Sequence, residues 1–121
     1  MTAPLRNPDL VYKVVTQTAY REESRDGVFH GMPIDRADGF CHLSSGKQLG
    51  ETLSLHFRGQ RDLLILAVRS YDLGTLLRWE PSRGGQLFPH VYGTFPMSAV
   101  AYEATIAVDA DGSCALPEWV R

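Results

Sequence analysis

The run DLLILAV, residues 62–68, limits most sharply what this chain can become. From Leu63 to Val68 every residue is apolar, so no polar side is left to face water. Six residues are too few for an ordinary helix. A strand with one wet face would alternate, and this run does not, so both of its faces need cover. It predicts a central strand, for which the rest of the chain must supply neighbours on either side and packing above and below.

Candidate neighbours are easy to find. Leu10 to Val15 (LVYKVV) is β-branched and aromatic, interrupted only by Lys13, and reads as a strand. Val100 to Val108 alternates, with Tyr102, Ala104, Ile106 and Val108 on one face. Gly39 to Ser44 (GFCHLS) and Leu77 to Glu80 (LRWE) read as shorter strands. Cover comes from residues 46–58, where Leu49, Leu53 and Phe57 recur at helical spacing. Ser45 and Gln48 form a capping box at its start, and Gly59 is a natural stop. A second helix is expected over 17–25, capped by Thr16 and ended by Asp26-Gly27. Residues 28–38 (VFHGMPIDRAD) have no period and read as a surface loop. Residues 1–9 read as a flexible N-terminal arm. Residues 10–121 then form a compact single α+β domain, a short-stranded mixed or antiparallel split sheet with about two helices. A chain of 121 residues buries one real core without disulfides or metal.

Composition removes several function classes. The net charge of −2 argues against nucleic-acid binding driven by overall charge. No apolar run approaches the length of a membrane span, and MTAPLRNPDL lacks the apolar stretch of a signal peptide. Cys41 and Cys114 show no metal-ligand spacing and read as free thiols of a cytoplasmic protein. No H-E-x-x-H, H-x-H or C-x-x-C occurs, so no metal site is expected. G-x-S-x-G, G-x-G-x-x-G and Walker-type loops are also missing.

The chemistry-bearing residues sit in short strand-like segments. GGQLFPHVYG, residues 84–93, has strand composition but carries Pro89 in its middle and glycine at both ends. Proline removes a ladder donor, so the segment reads as a bent edge strand. Side chains two apart share a strand face. His42 therefore pairs with Ser44, and His90 with Tyr92, each pair facing either solvent or a pocket. Glu80, beside Trp79 at a strand end, is a candidate acid-base group whose pKa desolvation would raise, or else an exposed partner of Arg78 or Arg83. His30 and His56 carry no signal of their own.

VYKVV, GFCHLS and the block from DLLILAV to LFPHVYG together resemble the small bacterial domain-of-unknown-function family 952, DUF952, over roughly residues 10–103. The resemblance implies an ADP-ribosyltransferase-like fold, a split-sheet α+β structure with a nicotinamide-dinucleotide cleft. By motif order Lys13 occupies a first-strand position where related sequences tend to carry His. His42 and Ser44 lie on the second motif, and Glu80 or His90 on a later one. The implied function is a nucleotide-binding cleft with NAD as its cofactor, on a diverged ADP-ribosyltransferase-like or phosphotransferase-like enzyme. Glu80 and His90 would be the catalytic groups; Lys13, His42, Ser44, Phe88 and Tyr92 would bind ligand. A non-catalytic module for a phosphate-bearing small molecule stays open as an alternative, as does a protein-interaction domain that uses the LFPHVYG edge.

Overall fold

The computed structural model describes residues 10–120; the expected arm at 1–9 lies outside them. In chain order the elements are β1 (Leu10–Thr16), α1 (Gln17–Glu23), β2 (Val28–Phe29), α2 (Pro33–Asp38), β3 (Cys41–His42), α3 (Gly46–His56), β4 (Leu63–Arg69), β5 (Leu77–Pro81), β6 (Leu87–Val91), β7 (Phe95–Pro96) and β8 (Val100–Ile106). Single 3-10 turns occupy 70–72, 74–76, 83–85 and 97–99.

The apolar run becomes β4, the middle strand of an antiparallel sheet ordered β1-β4-β8. Its two faces feed two different cores. Leu63, Ile65 and Ala67 pack with Leu10, Tyr12 and Val14 of β1 against Leu49 and Leu53 of α3. Leu66 and Val68 pack with Val11 and Val15 against Leu43, just past β3, and against Val91, Phe29 and Phe95 from the other strands. A strand buried on both sides needs no alternation, which is why its sequence shows none.

A second antiparallel sheet has the order β3-β6-β5, and β2 and β7 form a two-stranded ribbon. The two larger sheets touch through one bridge, where Tyr12 and Ser44 exchange backbone hydrogen bonds of 2.8 Å. Among the described residues this α+β structure has antiparallel sheets throughout and three α-helices, one more than the sequence suggests. The extra helix is α2, in the stretch expected to be loop. It is six residues long, too short to show a period. Pro33 occupies its first turn, Asp35 accepts from the Met32 N–H at 2.7 Å, and Gly39 ends it in the left-handed region at φ 86°.

The LFPHVYG segment is also not an edge. It is β6, the centre of its sheet, with β5 as the outer strand. The N–H and C=O of one residue lie on the same side of a strand. Pro89 accepts from the Leu43 N–H at 3.0 Å, so the donor that proline lacks would also face Leu43. That position is one residue beyond the end of the two-residue β3. The missing hydrogen bond falls where the neighbouring strand has already stopped, and the ladder to β5 is complete.

Candidate functional site

A cavity of about 400 Å³ opens between β1, α3, the end of β3, β6 and the β5–β6 loop. Its size falls in the ordinary range of small-molecule sites. One part of the wall is apolar, with Met32, Ile34, Leu43, Phe57 and Phe88. The polar part consists of hydroxyls and nitrogen bases: Ser44, Thr52 and Ser82, then His42, His56, Arg83 and His90, with Lys13 behind them. Among the described residues no aspartate or glutamate lines it.

The β5–β6 register sets one side. Arg78 lies opposite His90 and Glu80 opposite Phe88. Arg78, Glu80, Phe88, His90 and Tyr92 therefore share one face. Glu80 Oε1 meets His90 Nδ1 at 2.8 Å and accepts the Tyr92 hydroxyl at 2.6 Å. These two hydrogen bonds, Tyr92 first, hold the Glu80 carboxyl below its ordinary pKa of 4.5. This corrects the expectation of a desolvated, raised glutamate. Trp79 projects from the opposite face of β5, so its indole does not dehydrate Glu80. Arg78 caps the Tyr92 ring at 4.7 Å.

His90 is buried and lines the cavity. With Nδ1 on Glu80, its Nε2 has no protein partner among the described residues, and no fully buried side-chain nitrogen or oxygen among them lacks one. Nε2 is therefore the atom His90 offers at the cavity wall. Glu80 and Tyr92 do not line the cavity. They stand behind His90 and fix its ring.

The other side is organised by Asp35, which the sequence reading missed. It is buried at 2% exposure and collects donors from β1, from β3 and from Met32 just before α2. Lys13 Nζ lies 2.8 and 2.9 Å from its two oxygens, His42 Nδ1 at 2.7 Å, and the His42 backbone N–H at 3.0 Å. Burial alone would raise this carboxyl. The His42 ring and the Lys13 ammonium outweigh it and hold the pKa at about 2. Lys13 also donates to the His42 carbonyl at 2.9 Å. Its charge is thus spent inside the protein, which leaves no free ammonium for the ligand-binding role expected of Lys13. His42 Nε2 lies 2.9 Å from Asp38. Both ring nitrogens of His42 therefore face carboxylates, and a neutral ring can donate to only one of them.

Phe40 ties the halves together. Its ring centroid lies 4.6 Å from His42, 4.3 Å from His90 and 5.3 Å from Tyr92, and the two histidine rings are 5.9 Å apart. Of the residues singled out in the sequence, Lys13, His42, Ser44, Phe88 and His90 line the one cavity, while Glu80 and Tyr92 back it. Thr52, His56 and Arg83 line it too and were not anticipated. Thr52 and His56 are four apart on α3, the spacing that puts two side chains on one helix face. Read beside Ser45 at the helix start, that spacing was an available signal. Arg83 had none, because it lies in the glycine-rich loop of residues 82–86. Cys41 is buried in the core, and burial pushes its thiol up to about 11, which leaves it a poor nucleophile. Among the described residues no group of three or more His, Cys, Asp or Glu side chains is placed to hold a metal ion.

A family model described as a protein of unknown function, DUF952, matches residues 14–102. The chain belongs to the DUF952 family. The DUF952 match runs from within β1 into β8 and includes every cavity-lining residue except Tyr12 and Lys13. A crystal structure of the protein CC0527 from Caulobacter crescentus is similar to this DUF952 chain, with 44% identity over 88% of this chain and 93% of that one and a TM-score of 0.82. A solution NMR structure of the same Caulobacter protein gives 45% identity, coverage of 86% and 90%, and a TM-score of 0.74. No protein with a curated description matches. Among the described residues no helix is long and apolar enough to cross a membrane.

Proposed function

We propose that the cavity binds a nucleotide-type small molecule, with NAD and ADP-ribose as representative ligands, on a diverged ADP-ribosyltransferase-like scaffold. One observation carries this reading: about 400 Å³ of space lined by hydroxyls, imidazoles and a guanidinium beside phenyl rings, with no carboxylate on the wall. Such a lining repels no anion and offers donors to phosphate and ribose. Phe88 and Phe57 supply flat apolar surface for a ring. His90 offers one fixed nitrogen to the ligand, because Glu80 occupies the other. The interaction-edge alternative loses its support, since the segment it relied on is the middle strand of its sheet.

Calorimetric titration of the folded protein with NAD and ADP-ribose tests the reading, repeated on His90→Ala with its circular dichroism spectrum checked. Saturable heat that the variant loses supports it. No heat from folded wild-type protein with either ligand overturns it.

The Glu80–His90 contact favours turnover as a second reading. In that reaction the bond between nicotinamide and ribose breaks and nicotinamide leaves with the bonding electrons. The acceptor's oxygen takes its place, and the acceptor's proton passes to Nε2 of His90. Glu80 acts through His90, as the positioning group that keeps Nδ1 the protonated nitrogen. Nicotinamide release from NAD that falls in Glu80→Gln with unchanged NAD affinity supports this. Tight NAD binding with no release overturns it.

A further inference from the structure

We infer that the ligand's phosphate is held at one end of the cavity by Arg83, Thr52 and Ser44. This rests on the reading of the cavity as a nucleotide-type site and says which residues grip the anion. Three elements converge there: Ser44 just past β3, Thr52 on α3, and Arg83 in the β5–β6 loop, all three lining the cavity.

The donors can be accounted for one by one. Ser44 Oγ and Thr52 Oγ1 lie 2.9 Å apart, and Arg83 Nη2 donates to Thr52 Oγ1 at 3.4 Å. The two hydroxyls share a single hydrogen bond, so one of them donates to the other. Whichever way it runs, one O–H of the pair is left over.

Arg83 is likewise half committed. Nε lies 3.5 Å from Glu51 on the outer rim, and its guanidinium sits 4.8 Å over the Phe88 ring. These contacts fix the plane of the guanidinium and leave Nη1 without a partner among the described residues. An anion placed there meets a pre-oriented fork and a hydroxyl together, the pairing that suits phosphate oxygens. His56 stands one helical turn beyond Thr52 on the same wall. Among the described residues the only carboxylate in contact with the cluster, Glu51, holds the back edge of the guanidinium and is not part of the cavity lining.

The experiment compares AMP and ADP-ribose with adenosine, by calorimetry, on wild-type protein, Arg83→Gln and Thr52→Val. Arg83 is in a loop and Thr52→Val keeps the side-chain shape, so both variants should fold. Affinity for the two phosphate-bearing ligands is expected to fall roughly ten- to a hundredfold in Arg83→Gln, with adenosine unaffected. Unchanged affinity for ADP-ribose in both variants overturns the phosphate position and leaves the cavity reading standing. Failure of all three ligands on wild-type protein overturns the nucleotide reading instead. Inorganic phosphate, followed through the Thr52 methyl signal by NMR, then decides the rest. A saturable shift that Arg83→Gln abolishes keeps the phosphate site for another phosphorylated ligand, and no shift removes it.

Discussion

Asp35 is a carboxylate at 2% exposure whose neutralising partner, Lys13, comes from 22 residues earlier in the chain. Removing one member of such a pair strands the other charge away from water. Asp35→Asn is therefore expected to cost about 3–5 kcal/mol in urea unfolding at neutral pH. The pH dependence follows from the depressed pKa. An Asp35 held at about 2 against an ordinary 3.8 binds its proton less readily when folded than when unfolded. Its contribution is complete above pH 3.8 and disappears as pH falls from there towards about 2. The gap between wild type and Asp35→Asn should narrow over that window; a constant gap would mean the ion pair is not its source. Lys13 was visible in the sequence as a break in LVYKVV. Asp35 was not, because its role depends on a partner distant in sequence and on a helix of one and a half turns that leaves no periodic trace. The raised-pKa reading of Glu80 failed at the same scale: adjacency of Trp79 and Glu80 in sequence puts them on opposite faces of a strand.

At the scale of elements, α3 was the most legible, because its cap and its period agree, although it ends at His56 with Phe57 as its C-cap, ahead of the stop expected at Gly59. Ser45 Oγ accepts from the Gln48 N–H at 3.3 Å, and the Gln48 side chain returns the bond to the Ser45 N–H at 3.0 Å. Gln48 also donates to the Leu87 carbonyl at 2.7 Å, so the same residue fastens α3 to β6. Ser45→Ala should cost about 1 kcal/mol by denaturant titration. A neutral result would show that the Gln48 tie to β6, not the cap, fixes the helix start. Pro89 taught the opposite lesson. The rule that confines proline to edges is a rule about a lost donor, and a central strand tolerates proline where the adjacent strand has ended. A sequence does not reveal that β3 is only two residues long.

At the scale of the whole molecule, the two three-stranded sheets of the described residues are joined by the Tyr12–Ser44 bridge and by the core shared between them. Strand identities in the sequence came close, but sheet order did not follow from them, since β6 lies between β5, directly before it, and β3, from the far side of α3 and β4. The tryptophans report on opposite regions. Trp79 lies on the outer strand β5, whereas Trp119 packs against Tyr12 and Tyr102. If the sheets unfold as one cooperative unit, Trp79→Phe and Trp119→Phe, each followed through its remaining tryptophan, should give coincident urea transitions after correction for each variant's own stability. Separated transitions would make the Tyr12–Ser44 seam a boundary between independently melting parts.

The buried pair of Lys13 and Asp35 also sets an order of events. When the core between the two sheets closes over this face of β1, Asp35 has to be in place already, or it closes over a naked ammonium. Docking of α2 is thereby tied in time to that closure, although α2 is short and peripheral. Substitution of Asp35 should then slow refolding more than it speeds unfolding, a kinetic signature ordinarily associated with a central strand. A six-residue helix would share in the nucleus because it brings the counter-charge that lets the nucleus close.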